Sequence, residues 1–157
     1  MKDEQIAKLA KQVKLLQQQL ASIPKEESKE QPKESRGILQ VEVVEAQLDR
    51  STEMWGKQDP FAELSIRLQK FKTKTHTDGA KAPVWNETTT MDVLDPSEVM
   101  KVKVFDEDMT SSDLICEGDI DLAGLCQNNM SVDDWFPLQF NGKQSGKIHL
   151  RTKYMNQ

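Results

Sequence analysis

The sequence predicts an all-β, eight-stranded antiparallel β-sandwich over residues 37–157, preceded by one short α-helix and a linker. Three observations carry this. From Gly37 onward apolar and polar residues alternate, as in Leu39, Val41 and Val43 against Gln40 and Glu42. No helical period interrupts the alternation. The alternating runs are separated by segments rich in Gly, Pro, Asn, Asp and Ser, the punctuation of hairpins and short loops.

The helix comes first. In "QIAKLAKQVKLLQQQLASIP" the residues Ile6, Leu9, Val13, Leu16, Leu20 and Ile23 fall alternately three and four apart. That spacing makes an a/d heptad seam, set among the good helix formers Lys and Gln. A seam of about two and a half heptads is marginal alone in water. It is therefore expected to dock on a partner protein, on a second copy of itself, or on the body of the chain. Pro24 closes the helical unit, residues 1–24. Residues 25–36, "KEESKEQPKESR", contain no large apolar residue and read as a solvated tether.

The strands follow as "ILQVEVVEA", "FAELSIRL", "KFKTKTH", "ETTTMDV", "MKVKVFD", "GDIDL", "WFPLQF" and "GKIHLRTKY". Trp85, just before "ETTTMDV", and Trp135, in "WFPLQF", are expected in the core. Composition fits one modest core, with 36% hydrophobic and 30% charged residues in 157. No run approaches the roughly 18 apolar residues a membrane span needs. The N-terminus lacks an apolar signal segment, and its Gln and acidic residues are unlike a transit peptide, so a cytoplasmic location is expected. Cys116 and Cys126 match no zinc spacing and read as reduced thiols.

The net charge of −5 is unevenly spread. Residues 1–36 carry a balance of +2 and the remainder −7. An acidic body argues against nucleic acid as a partner, since phosphate backbones call for a basic face.

Two acidic clusters follow strands. The first, "EAQLDRSTEMWGKQDPF", contains Glu53 and Asp59; the second, "VFDEDMTSSDLI", contains Asp106, Asp108 and Asp113. Several oxygen donors on loops suit Ca²⁺, which accepts 6–8 oxygens in loose geometry, better than Mg²⁺. Zinc would want His or Cys, and His76 and His149 fall on strand segments away from these acids. The plain alternative is a pair of solvated acidic loops. Catalysis finds no support: no Ser or Cys has a His partner in a recognisable motif, and no glycine loop cradles phosphate. A non-enzymatic protein is expected.

Several stretches, taken in order, resemble the C2 domain family: "GILQVEVVEA", "GKQDPFAEL", "APVWNETTTMDV", "VKVFDEDMTSSDLI" and "WFPLQFNGKQSGKIHLRTKY". The resemblance covers residues 37–157 and is similar to the type II strand permutation. It implies a calcium site of five carboxylates holding two Ca²⁺. Asp59 matches the second ligand of the first loop, and Asp106, Asp108 and Asp113 match those of the third. Glu53 stands where the family usually has Asp, Gln58 where it has Ser or Thr, and Cys116 where it has Gly. These departures leave room for a weak or vestigial site. Two ions would bring the loop tip from about −5 to near −1. Anionic surfaces are worth roughly 1 kcal/mol per favourable charge, so the change would act as a switch for binding anionic phospholipid.

Met54, Trp55 and Met109 fall at loop tips and are candidates for shallow contact with a membrane, unless Trp55 folds back on the sandwich. Lys70, Lys72 and Lys74 share one strand face. They are candidate anionic head-group ligands by resemblance, or else an ordinary solvated face. Two functions follow as expectations. One is a calcium-dependent membrane module, peripheral to the membrane and tethered through residues 6–23. The other is a structural or adaptor subunit of a cytoskeletal or ciliary assembly, in which the sandwich binds protein.

Overall fold

The structure, a computed structural model, describes residues 2–22 and 36–157, without the side chains of residues 20–22. Ile23, Pro24 and the tether expected at 25–36 lie outside the described residues, except Arg36, and so does the side chain of Leu20. The chain divides into two compact units, Met1–Glu34 and Ser35–Gln157.

In the first unit, helix α1 spans Lys2–Ser22. Asp3 and Glu4 occupy its first turn, where negative charge meets the positive end of the helix dipole. Ile6, Leu9, Val13 and Leu16 line one face, each between 51% and 64% exposed.

The second unit contains β1 (Gly37–Leu48), β2 (Pro60–Ile66), β3 (Gln69–Lys72), β4 (Val84–Val93), β5 (Val99–Glu107), β6 (Ser112–Asp121), β7 (Ser131–Phe140) and β8 (Lys143–Asn156). The strand order is β3-β2-β5-β6-β7-β8-β1-β4, and every neighbouring pair is antiparallel. Strands β6 and β7 meet at a single pair, Glu117 with Gln139. There the array folds into the two layers of a sandwich, β3-β2-β5-β6 and β4-β1-β8-β7. The alternation read from the sequence supplies the core between them: Leu39, Val41 and Val43, Ala62 and Leu64, Met100, Val102 and Val104, and Ile148 and Leu150 are all buried.

The same parity corrects two expectations. Strand β7 turns Phe136 and Leu138 inward, so Trp135 faces outward, where it stacks on His149 with ring centroids 5.0 Å apart. Strand β3 stops at Lys72, which leaves Lys74 and His76 in the loop that follows. Trp85, by contrast, packs against the core, and its indole N–H donates to the Pro60 carbonyl at 3.1 Å.

Antiparallel pairing gathers the loops that carry the candidate ligands at one end. The start of β2 meets the end of β5 (Pro60 with Asp106), and the end of β5 meets the start of β6 (Glu107 with Ser112). The end of β1 meets the start of β4 (Glu45 with Val84). The β7–β8 hairpin closes at this end through Asn141 (φ 51) and Gly142 (φ 76), the left-handed pair that a two-residue type I′ turn requires.

Gly146 sits beside these loops with φ 149, and a Cβ there would lie 2.5 Å from the Gln47 carbonyl oxygen. The β1–β8 ladder therefore depends on that glycine at its loop end. Replacing it by alanine, Gly146→Ala, is expected to destabilise the sandwich by about 1–3 kcal/mol, the usual range for forced backbone strain. Urea denaturation of the two proteins measures this; an unchanged midpoint would refute it.

Candidate metal centre

Asp106 ends the inward-facing series Met100, Val102, Val104 on β5 and is itself fully buried. A buried carboxylate needs hydrogen-bond donors. One oxygen accepts the backbone N–H of Asp59 at 2.8 Å and the other accepts the Thr52 hydroxyl at 2.5 Å. Both donors belong to the β1–β2 loop, which thereby folds over the end of β5. The fold brings Glu53 and Asp108 to the same point: each offers a carboxylate oxygen within 4.8 Å of the other and of Asp106.

The remaining two of the five expected ligands flank this triad. Asp59 accepts the Asp78 N–H on Oδ1 at 2.7 Å, which ties it to the β3–β4 loop. Asp113 lies opposite Asp106 in the β5–β6 register, is exposed, and places its carboxyl beside that of Asp108.

Crowding shows in the titration of these acids. Glu53 is pushed up to about 7, first by its hydrogen bond to Asp106 and then by repulsion from that charge. Asp108 is also raised, by its hydrogen bond with Asp113, then by desolvation and by the charge of Asp106. Hard oxygen donors, without nitrogen or sulfur, fit Ca²⁺. The histidines are engaged elsewhere. His76 Nδ1 accepts the Val84 N–H at 2.9 Å, and His149 lies between Glu45 and Asp133 on the outer face of β8.

Two side chains to which the sequence assigns no positive role hold the loops together. Gln58 is 1% exposed; its carbonyl accepts Thr52 N–H at 3.2 Å, and its amide donates to Arg50 O at 3.0 Å and Ala80 O at 2.8 Å. It joins the β1–β2 loop to the β3–β4 loop, a job a shorter Ser or Thr side chain could not span in the same way. Arg50 reaches across to β6, donating to Leu114 O at 2.7 Å, with its guanidinium 3.7 Å from the centre of the Phe140 ring. The sequence marks Gln58 by its place beside Asp59 and by its departure from the family's Ser or Thr, and neither signal shows this bridging role. Cys116 belongs to the core, where burial pushes its thiol up to about 12.

Met54, Trp55 and Met109 project from the tips of the β1–β2 and β5–β6 loops and are 89%, 87% and 105% exposed. Trp55 does not fold back on the sandwich. The lysines sit on a face of mixed charge. Lys70 pairs with Glu63 at 3.6 Å, and Lys72 lies 4.0 Å from the centre of the Phe61 ring. Across β3, β2, β5 and β6 the register runs Lys72, Glu63, Lys103, Glu117, alternating in sign. Lys74 is exposed beyond the end of β3.

Comparison with known proteins identifies the family of the sandwich. The family model of the C2 domain matches residues 37–138. The chain belongs to the C2 domain family. This C2 domain is 34% identical over 130 residues to extended synaptotagmin-3 of Homo sapiens, covering 76% of the chain and 14% of that protein. The chain thus spans about one-seventh of the curated relative it matches. A solved, calcium-bound structure of two C2 domains of extended synaptotagmin 2 superposes with a TM-score of 0.64 at 27% identity, covering 76% of this chain and 46% of that one. A single C2 domain of a plant extended synaptotagmin 1 superposes at 0.70 over 77% of this chain and 95% of its own, and at 23% identity it bears on the fold alone.

Replacing Gln58 by alanine, Gln58→Ala, leaves one buried donor and two acceptors of the loops without partners. The expected loss is about 1–3 kcal/mol, the cost of unsatisfied buried groups. A thermal melt in chelator checks it, and a loss below the error of the melt would show that the amide does not hold the loops.

Proposed function

We propose that this C2 domain is a non-enzymatic module that binds Ca²⁺ through its loop carboxylates and docks on anionic phospholipid membranes, tethered to a protein partner by its N-terminal helix. The observation that carries the reading is the convergence of Glu53, Asp106 and Asp108 beside the bare side chains of Met54, Trp55 and Met109. The calcium-bound extended synaptotagmin structure among its neighbours supports it.

Each residue has a distinct part. Asp106 is the fixed ligand, held by the Asp59 N–H and the Thr52 hydroxyl before any ion arrives. Glu53 and Asp108 bring the second and third carboxylates from separate loops. Asp59 and Asp113 widen the set to the five acids that two ions would share. Bound Ca²⁺ supplies positive charge against these acids and open coordination positions for phosphate oxygens. Trp55, with Met54 and Met109, enters the interfacial layer, where an indole combines apolar burial with a polar N–H. The mixed-charge lysine face contributes little in this reading, because Glu63, Glu117 and Asp119 offset Lys70, Lys72, Lys101 and Lys103. The protein would then be peripheral to a membrane.

Calcium at about a hundred times its dissociation constant is expected to stabilise the folded domain by about 2.7 kcal/mol, seen as a raised melting temperature. The Asp106→Asn variant should lose that rise. Co-sedimentation with phosphatidylserine vesicles should require calcium. The Trp55→Ala, Met109→Ala double variant should pellet at least several-fold less while keeping its calcium-induced thermal shift. Absence of both the shift and pelleting would overturn the reading in favour of a protein-binding adaptor.

A further inference from the structure

We propose that α1 forms a parallel two-stranded coiled coil with α1 of a second copy of this chain. The seam chooses its own occupant through the residue types at its positions. With Ile6 at a, the a positions hold Ile6, Val13 and Leu20, and the d positions hold Leu9, Leu16 and Ile23. In the described part of the seam, β-branched residues stand at a and leucine at d. That combination favours two strands over three or four, and it holds in two of the three heptads, Leu20 and Ile23 reversing it in the third.

The positions beside the seam point the same way. Residues at e and g normally set partner choice and orientation through charge. Here they are Gln5, Ala10, Gln12, Gln17 and Gln19, all neutral, with Asp3 in the first turn the one exception. The lysines Lys8, Lys11 and Lys14 fall at c, f and b, away from the seam, so two copies meet along Ile6 to Leu16 without opposing like charges; Lys2, at the d position before Ile6, is the one charged seam residue and stands in the first turn. A partner chosen by charge would need e and g residues that this helix does not have. Within the described helix the apolar face is exposed: Ile6 is 64% exposed, Leu9 60%, Val13 51% and Leu16 57%. Exposed leucine and isoleucine at regular spacing leave apolar surface in water that pairing would remove. Leu15, at c, takes no part.

The seam is short, so the dimer is expected to be weak and concentration-dependent. This inference does not rest on the metal reading, and its test is run in chelator. Sedimentation equilibrium of the whole chain, from about 1 µM to about 1 mM to span the relevant dissociation constants, should show mass rising from one chain to two and stopping there. The Leu9→Asp, Leu16→Asp variant should stay monomeric across the range, with the thermal melt of the sandwich unchanged.

Orientation is read by Ile6→Cys. In a parallel pair the two new thiols lie side by side and oxidise to a covalent dimer. In an antiparallel pair each would face the far end of the other helix. The native Cys116 and Cys126 are buried, with thiols pushed up to about 12 and about 11, so they do not compete for the oxidant. A chain monomeric up to about 1 mM, a trimer or tetramer, or a dimer that Ile6→Cys fails to cross-link, would each overturn the proposal.

Discussion

The structure turns on a carboxylate buried among other carboxylates. Asp106 is fully buried, and the acids beside it crowd it: Glu53 is pushed up to about 7 by its hydrogen bond to Asp106 and by that residue's charge. Asp106 stays in place because the β1–β2 loop brings a backbone N–H and a hydroxyl to its two oxygens. That requirement propagates. The Asp59 N–H reaches Asp106 only while Pro60 pairs with Asp106 in the β2–β5 ladder. The loop holds its path only while Gln58 and Arg50 tie it to its neighbours. A one-residue slip of β2 would turn Leu64 and Ala62 out of the core and withdraw the donor from Asp106 together. Core packing and site geometry are thus the same constraint seen at two ends of β5.

The two layers share their surroundings unequally. On the outer face of β2, β5 and β6, opposite charges alternate across the strands and largely cancel. On the outer face of β8, Arg151 bridges Asp133 at 3.1 Å and Glu42 at 3.4 Å, and His149 lies beside Asp133. Uncompensated charge is concentrated at the loop end, where Glu53, Asp59, Asp106, Asp108 and Asp113 gather with no Lys or Arg paired to them among the described residues. Exposed pairs on the flanks add little stability each. Their effect is to leave the loop end as the one strongly charged region of the sandwich.

How much of this is legible from the sequence depends on range. The strands are readable because burial on one face imposes a period of two, and Leu39, Val41 and Val43 display it without reference to any partner. The carboxylates of the site are readable because acids cluster in two short segments. Trp135 escapes such a reading because inward or outward orientation depends on parity, and the bulky neighbour Phe136 can equally set the phase. Gln58 reads in the sequence as a departure that weakens the site, since its three partners lie on two loops 6 to 22 residues away. The lysines look like a basic stripe when read along one strand. Only the cross-strand register puts Glu63 beside them.

The far end of the sandwich has a consequence of a different kind. Gly37 pairs with Asn156 there, and Gln157 donates its N–H to the Arg36 carbonyl at 2.9 Å. A pull between residues 36 and 157 would open the β1–β8 ladder like a zipper, loading one pair at a time. A pull between residue 36 and the β7–β8 turn at residues 141–142 draws β1 and β8 lengthwise past one another. Hydrogen bonds that lie across that direction are loaded in shear, all together. The same sandwich is therefore soft when stretched between its own termini and stiff when tension passes from that turn to the strand that leads toward the helix.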